Sequence, residues 1–154
     1  NDGQIFIAYG GDFWHGKRQS WIKSFKPDGN GYITDNALNW SYALEKHCMS
    51  TPAIHDGLVY TTDTSGKLHC IDSKTGQGQW IHELTGVIWA SPLVADGKVY
   101  IASQRGKVAI LKADRKKVLL SEIQLPNNIN GSPIAANGVL YITAMTHLYA
   151  LKVN

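Results

Sequence analysis

The chain has 154 residues, 44% of them hydrophobic and 18% charged, and a formal net charge of +3. That is enough apolar material for an ordinary core and too much for a disordered segment. Scattered, mild basicity excludes a groove lined for nucleic acid, and no apolar run is long enough for a transmembrane helix.

In chain order, short runs rich in β-branched and aromatic residues predict strands at 4–9, 21–26 and 38–44, then at 48–54, 58–63, 67–72 and 79–84. The same reading gives 88–95, 98–103, 107–112 and 118–125, and finally 129–136, 139–144 and 147–152. Asp56-Gly57, Asp96-Gly97 and Asn137-Gly138 separate the first and second strands of the later groups, and such dipeptides are strong hairpin signals. Stretches 10–20 and 27–37, rich in Gly, Asn and Asp, read as loops. Asn1-Asp2-Gly3 lacks an initiator methionine and a signal peptide, as expected of a processed chain or of part of a longer one.

These groups are copies of one phrase. Pro52, Pro92 and Pro133 are 40 and 41 residues apart, and so are Gly57, Gly97 and Gly138, and Tyr60, Tyr100 and Tyr141. A period near 40 with four short strands per unit predicts an all-β fold, a β-propeller of four-stranded antiparallel blades. The units form one domain, divided at 1–47, 48–87, 88–128 and 129–154, with three, four, four and three strands. About three and a half blades do not close a ring, which takes roughly four to eight. The expectation is therefore the C-terminal part of a larger propeller, with the missing N-terminal blades of the same propeller as neighbours. A self-paired dimer of arcs would have to trade the absent strands.

Residues 70–80 read CIDSKTGQGQW. Gly76 closes the loop between the third and fourth strands, Asp72 can accept backbone N–H groups there, and Trp80 can bury its ring against a neighbouring blade. Trp40, 40 residues earlier, has the same place. This spacing resembles the tryptophan-docking repeat of PQQ-like, or quinoprotein-type, β-propellers, and the resemblance assigns structural docking to Trp40, Asp72, Gly76 and Trp80. The third unit departs from it, with Ser121 at the Trp position and Asp114-Arg115-Lys116-Lys117 in the loop. Trp-Asp and kelch propellers are disfavoured, because no Trp-Asp dipeptide ends a strand and Gly-Gly occurs only at Gly10-Gly11.

Residues 10–16 (GGDFWHG) and 40–52 (WSYALEKHCMSTP) resemble periplasmic or secreted repeat proteins similar to the outer-membrane assembly lipoprotein. That resemblance implies a non-catalytic, extracytoplasmic scaffold for protein partners. The alternative it leaves is a quinoprotein-type oxidoreductase dependent on PQQ and Ca²⁺.

First strands line a propeller's central channel, so equivalent positions form rings. Packing accounts for the small residues Thr51, Ser91 and Ser132, and for Ser50, Ala90 and Gly131. Met49, Trp89 and Asn130 are larger and lie near one mouth, where they are candidates for partner binding. Trp89 is also the one candidate for a floor under a quinone. With no adjacent Cys-Cys pair and no convincing Ca²⁺ ligand set, no cofactor is expected, and the ligands of the alternative would lie in missing blades. His47-Cys48 and His69-Cys70 suggest a metal, but strands two apart lie ~9–10 Å from each other. The preferred reading is satisfied histidines and buried thiols. Asp28 and Asn30 imitate part of a calcium loop without its flanking acids, which favours a turn. Phe13, Trp14 and His15, in the first insertion, are further candidates for partner binding, and Arg115-Lys116-Lys117 reads as a solvated turn. No G-x-S-x-G elbow, phosphate loop or haem-attachment motif occurs.

Overall fold

The computed structural model describes residues 3–12, 15–27, 31 and 37–152. The first sheet contains β1 (Ile5–Asp12), β2 (Lys17–Phe25) and β3 (Leu38–Leu44). In the second, β4 (Ala53–His55), β5 (Leu58–Asp63), β6 (Lys67–Asp72) and β7 (Gly78–Glu83) lie side by side in chain order. The third repeats this with β8 (Leu93–Ala95), β9 (Lys98–Ala102), β10 (Lys107–Lys112) and β11 (Leu119–Gln124). Last come β12 (Ile134–Ala136), β13 (Val139–Thr143) and β14 (Leu148–Lys152). All pairings are antiparallel meanders, the architecture of propeller blades.

Hairpin chemistry sets the registers. Asp56 and Gly57 have φ of 45° and 72°, Asp96 and Gly97 50° and 64°, and Asn137 and Gly138 52° and 73°. Two consecutive left-handed residues make the turn whose twist suits a two-residue hairpin, and Asp, Asn and Gly tolerate it best.

Two expectations are corrected here. The inner strands were expected at 48–54, 88–95 and 129–136, but ladder pairing covers only the three residues of β4, β8 and β12. Pro52, Pro92 and Pro133 have no N–H to give to a ladder, and the N–H groups of Thr51 and Ser91 go to a different blade. The stretch 10–20, expected as a loop, is mostly hairpin, because β1 continues to Asp12 opposite Lys17. Gly10 and Gly11, with φ of 98° and 74°, make a bulge that lets the ladder resume beyond it.

Alternation along each strand gives every blade two apolar faces, and the core lies between blades. Phe6, Ala8, Ile22, Trp40 and Tyr42 of the first blade pack on Val59 and Ile71 of the second. Leu58, Tyr60, Leu68, Cys70 and Trp80 meet Val99, Ile101, Ala109 and Leu111 of the third. Ala102, Val108 and Ile123 meet Ile142, Leu140 and Tyr149 of the fourth. Among the described residues no helix is long and apolar enough to cross a membrane.

Candidate interaction face and the blade joints

The segments that lead into β4, β8 and β12 alternate strictly. Cys48 and Ser50, Ile88 and Ala90, and Ile129 are buried, whereas Met49, Trp89 and Asn130 are exposed. The axis side therefore presents Met49, 54% exposed, and Trp89, 43% exposed, together with Asn130, whose amide donates to Met145 Sδ at 3.3 Å.

Hydroxyls pin this face. Thr51 N–H donates to Ser91 Oγ at 2.8 Å, and Ser91 N–H donates to Ser132 Oγ at 2.9 Å, so the three inner segments are stitched across the blades. The small residues of this ring were expected on packing grounds alone; the structure gives them a hydrogen-bonding role as well. Ser50 ties its segment to the blade, with Oγ donating to Thr62 O at 3.1 Å and accepting Thr62 N–H at 3.0 Å. Thr62 Oγ1 then donates to Ala90 O at 3.1 Å, in the next blade.

At the outer rim, Trp40 Nε1 donates to Ser73 O at 2.9 Å, and its side chain packs directly on Gly76. A Cβ at Gly76 would come within 2.6 Å of Trp40 Cδ2. Trp80 repeats the bond to Asp114 O at 2.9 Å. Asp72 Oδ1 accepts from Lys74 N–H, Thr75 N–H and Thr75 Oγ1 at 2.9–3.0 Å, which shapes the loop. Its Oδ2 meets Arg115 Nη1 at 2.7 Å, from the third blade. Burial opposes ionisation of Asp72, but the Arg115 guanidinium and the Thr75 donors outweigh it and hold the carboxyl down at about 2.

Arg115-Lys116-Lys117 is thus not simply a solvated turn. Arg115 grips Asp72, and Lys117 Nζ donates to Ile81 O at 2.8 Å, so two of its members bridge the second and third blades where the loop lacks the Asp-and-Gly pattern. The joint at Ser121 differs again: Tyr149 Oη donates to Asn127 Oδ1 at 2.9 Å, over an apolar cluster.

Between the first two blades the side chains form a buried polar relay. His69 Nε2 meets Asp63 Oδ2 at 3.1 Å and Nδ1 meets Tyr42 Oη at 3.3 Å. With the carboxylate accepting from Nε2–H, Nδ1 is the ring atom that accepts a hydrogen bond from the Tyr42 O–H. Asp63 also accepts Glu45 N–H at 3.1 Å, Ser65 N–H at 2.8 Å and the Ser65 hydroxyl. Burial alone would raise its pKa, but the hydrogen bonds from His69 and Ser65 bring it below the usual carboxylate value. Along β6, Cys70 faces the other side, in the core toward the third blade, where burial pushes its thiol up to about 12. Such a thiol is poorly ionised and unreactive. Cys48 and Cys70 are both free.

His47 Nδ1 donates to Gly10 O and Gly11 O at 2.9 and 2.7 Å, so it fastens the base of the β1–β2 hairpin. His15 near the tip is exposed. Phe13, Trp14, Asp28 and Asn30 lie outside the described residues. Among the described residues no group of three His, Cys, Asp or Glu side chains could hold a metal ion.

The His69 relay, the Arg115 clamp, the hydroxyl stitches and the His47 fastening were all missed by the sequence reading. The first two fall at positions where the repeat breaks: His69 becomes Ala109 in the next unit, and Gly76 gives way to Lys116-Lys117. Comparing units residue by residue for such breaks would have singled them out.

Four consecutive antiparallel sheets, the first three joined at the rim by tryptophan indoles and the last three stitched at the axis by serine hydroxyls, define a β-propeller of the PQQ-like class. The family described as outer membrane protein assembly factor BamB matches residues 39–154, and the chain belongs to it. The outer membrane protein assembly factor BamB of Yersinia pestis is 30% identical over 93 residues, covering 60% of this chain and 23% of that protein. Quinohemoprotein alcohol dehydrogenase of Comamonas testosteroni is 28% identical over 134 residues, 79% of this chain and 18% of that enzyme. Among solved structures, BamB from Moraxella catarrhalis superposes with a TM-score of 0.67 at 19% identity, over 97% of this chain and 46% of that one. The chain spans about a quarter of the length of the BamB relative from Yersinia pestis.

Proposed function

We propose that this chain is part of a non-catalytic, extracytoplasmic scaffold in outer-membrane protein assembly, built from blade units 1–47, 48–87, 88–128 and 129–154. The observation that carries this reading is the axis face: large exposed side chains, Met49 and Trp89, sit on backbone that hydroxyls hold rigid across three blades. A fixed backbone with exposed large side chains suits docking of a protein partner. Phe13, Trp14 and His15, in the sequence between β1 and β2, are further candidates for partner contact, next to the hairpin that His47 fastens. Further blades of the same propeller would cover the outward faces of the first and fourth blades. Family membership and the similarity to BamB proteins support the same assignment.

The similarity to quinohemoprotein alcohol dehydrogenase keeps a PQQ-dependent oxidoreductase as the second reading, with Trp89 as the quinone's stacking partner. In this chain the residues around Trp89 fit such a group poorly. Thr51, Ser91, Ser132 and Asn130 are neutral, and among the described residues no carboxylate ring accompanies them for the calcium ion.

One experiment separates the readings. The full-length protein is purified from envelopes with its partners, alongside Phe13→Ala/Trp14→Ala and Met49→Ala/Trp89→Ala variants, and each is titrated with PQQ and Ca²⁺. The scaffold reading expects at least one variant to release the partner and no cofactor spectrum to develop. Retention of every partner by both variants overturns the proposed surface, and a bound-quinone spectrum lost in the Trp89 variant establishes the oxidoreductase.

A further inference from the structure

His82 lies on β7 at the position that Tyr42 holds one repeat earlier. Tyr42 finds His69 across its joint, but the residue one repeat after His69 is Ala109, which offers no polar atom. The His82 residue is 6% exposed, and its buried Nε2 has no hydrogen-bond partner. Such an orphaned ring nitrogen costs free energy and calls for an explanation.

The groups around it supply one. Glu122 on β11, across the joint in the third blade, has Oε2 3.9 Å from His82 Nε2, too far for a hydrogen bond. Its Oε1 is held instead by Lys107 Nζ of β10 at 2.9 Å. Lys117, before β11, anchors its ammonium on the carbonyl of Ile81, next to His82. Glu83, the next residue on β7, is 3.5 Å from Lys67 of β6. Burial, with Lys117 adding to it, lowers the proton affinity of His82, while Glu122 and Glu83 act in the opposite sense.

We propose that His82 and Glu122 form a proton-operated latch between the second and third blades: on protonation His82 donates from Nε2 to Glu122 Oε2, and the carboxylate is then shared with Lys107, which stays on Oε1. Whichever tautomer is present at neutral pH, the imidazolium carries an N–H at Nε2, so the orphaned atom becomes a charged donor beside a carboxylate. The side chain of Glu122 has to close about an ångström, and the pair forms as the surroundings acidify, below the range of a free imidazole because burial and Lys117 lower the proton affinity of His82. The latch acts between blades, whatever the propeller binds.

The test is a titration of the His82 ring by NMR in the full-length protein, with the Lys107 side-chain carbon next to Nζ followed in parallel. In the wild type, the Lys107 signal is expected to move with the same midpoint as His82. In Glu122→Gln the His82 midpoint is expected to fall by about one unit, and in Lys107→Met to rise, because the freed carboxylate turns to the ring. Glu122 and Lys107 are 32% and 31% exposed, so neither change opens the core. An unchanged His82 midpoint in Glu122→Gln, or a Lys107 signal indifferent to the His82 transition, overturns the latch.

Discussion

Gly76 and Asp72 illustrate how much of the docking depends on single atoms. At Gly76 two demands coincide: a left-handed φ of 73° and the Trp40 ring where a side chain would begin. Gly76→Ala should cost about 2–4 kcal/mol, from backbone strain plus displacement of the indole. Gly97→Ala meets open space and should cost only the strain, about 1 kcal/mol; denaturant unfolding of the two variants checks the difference. Asp72 carries a pH signature. Its folded carboxyl lies at about 2, below the value near 3.8 for the free side chain, so the unfolded chain takes up the proton first as pH falls. Its stabilisation is complete above about pH 4 and disappears toward pH 2. Asp72→Asn should be less stable at neutral pH and show a shallower loss over that window, measured by urea midpoints at each pH. Asp72 was legible from the sequence because it falls in the 70–80 stretch whose spacing resembles the tryptophan-docking repeat; its partner Arg115 was not, because a basic run reads as solvated until something acidic is placed beside it.

At the level of elements, the strands that take their pattern from hairpin turns were the easiest to read. β3, β5, β6 and β10 have the bounds that alternation and Asp-Gly turns predict. The inner strands were overextended because periodicity records which side chains are buried and not where the N–H groups go. Residues 48–52 alternate as a strand does, yet the Thr51 N–H is met by the Ser91 hydroxyl of the next blade and not by a ladder partner. Ser91→Ala should therefore cost about 1 kcal/mol by orphaning Thr51 N–H, while Ser91→Thr retains the acceptor and should be close to neutral. Faster hydrogen exchange at Thr51 in the alanine variant alone would identify the lost bond. The β1–β2 hairpin was read as a loop for a related reason: two adjacent glycines suggest a break, whereas here they make a bulge under which His47 sits.

For the whole molecule, the repeat arithmetic was sufficient to give blade order, strand count and the identity of the faces that pack. It could not say how each joint is held, because the three differ. The first is polar through Tyr42, His69 and Asp63; the second is clamped by Arg115; the third is mainly apolar. Ile5, Ile7 and Tyr9 on the outward side of the first blade, and Ile134 and Leu148 on that of the fourth, stay exposed in this arc. Contiguous apolar faces of this kind drive association. The 154-residue chain expressed alone should self-associate in sedimentation experiments, and Ile7→Lys with Leu148→Lys should reduce it. A monomeric wild-type arc would mean that these faces are not sticky.

The stitches along the axis also have a direction. In each, the earlier blade gives its N–H and the later blade supplies the hydroxyl, Thr51 to Ser91 and Ser91 to Ser132. The arc is consequently vectorial, with a donating end and an accepting end, as a strand of rope has a lay. Two such arcs can be spliced head to tail with the pattern unbroken, but not face to face, since a twofold axis would set donor against donor. To continue the pattern, a blade after the fourth would bring its own serine or threonine to the axis, and an inner segment of the first blade would give an N–H to the Thr51 hydroxyl.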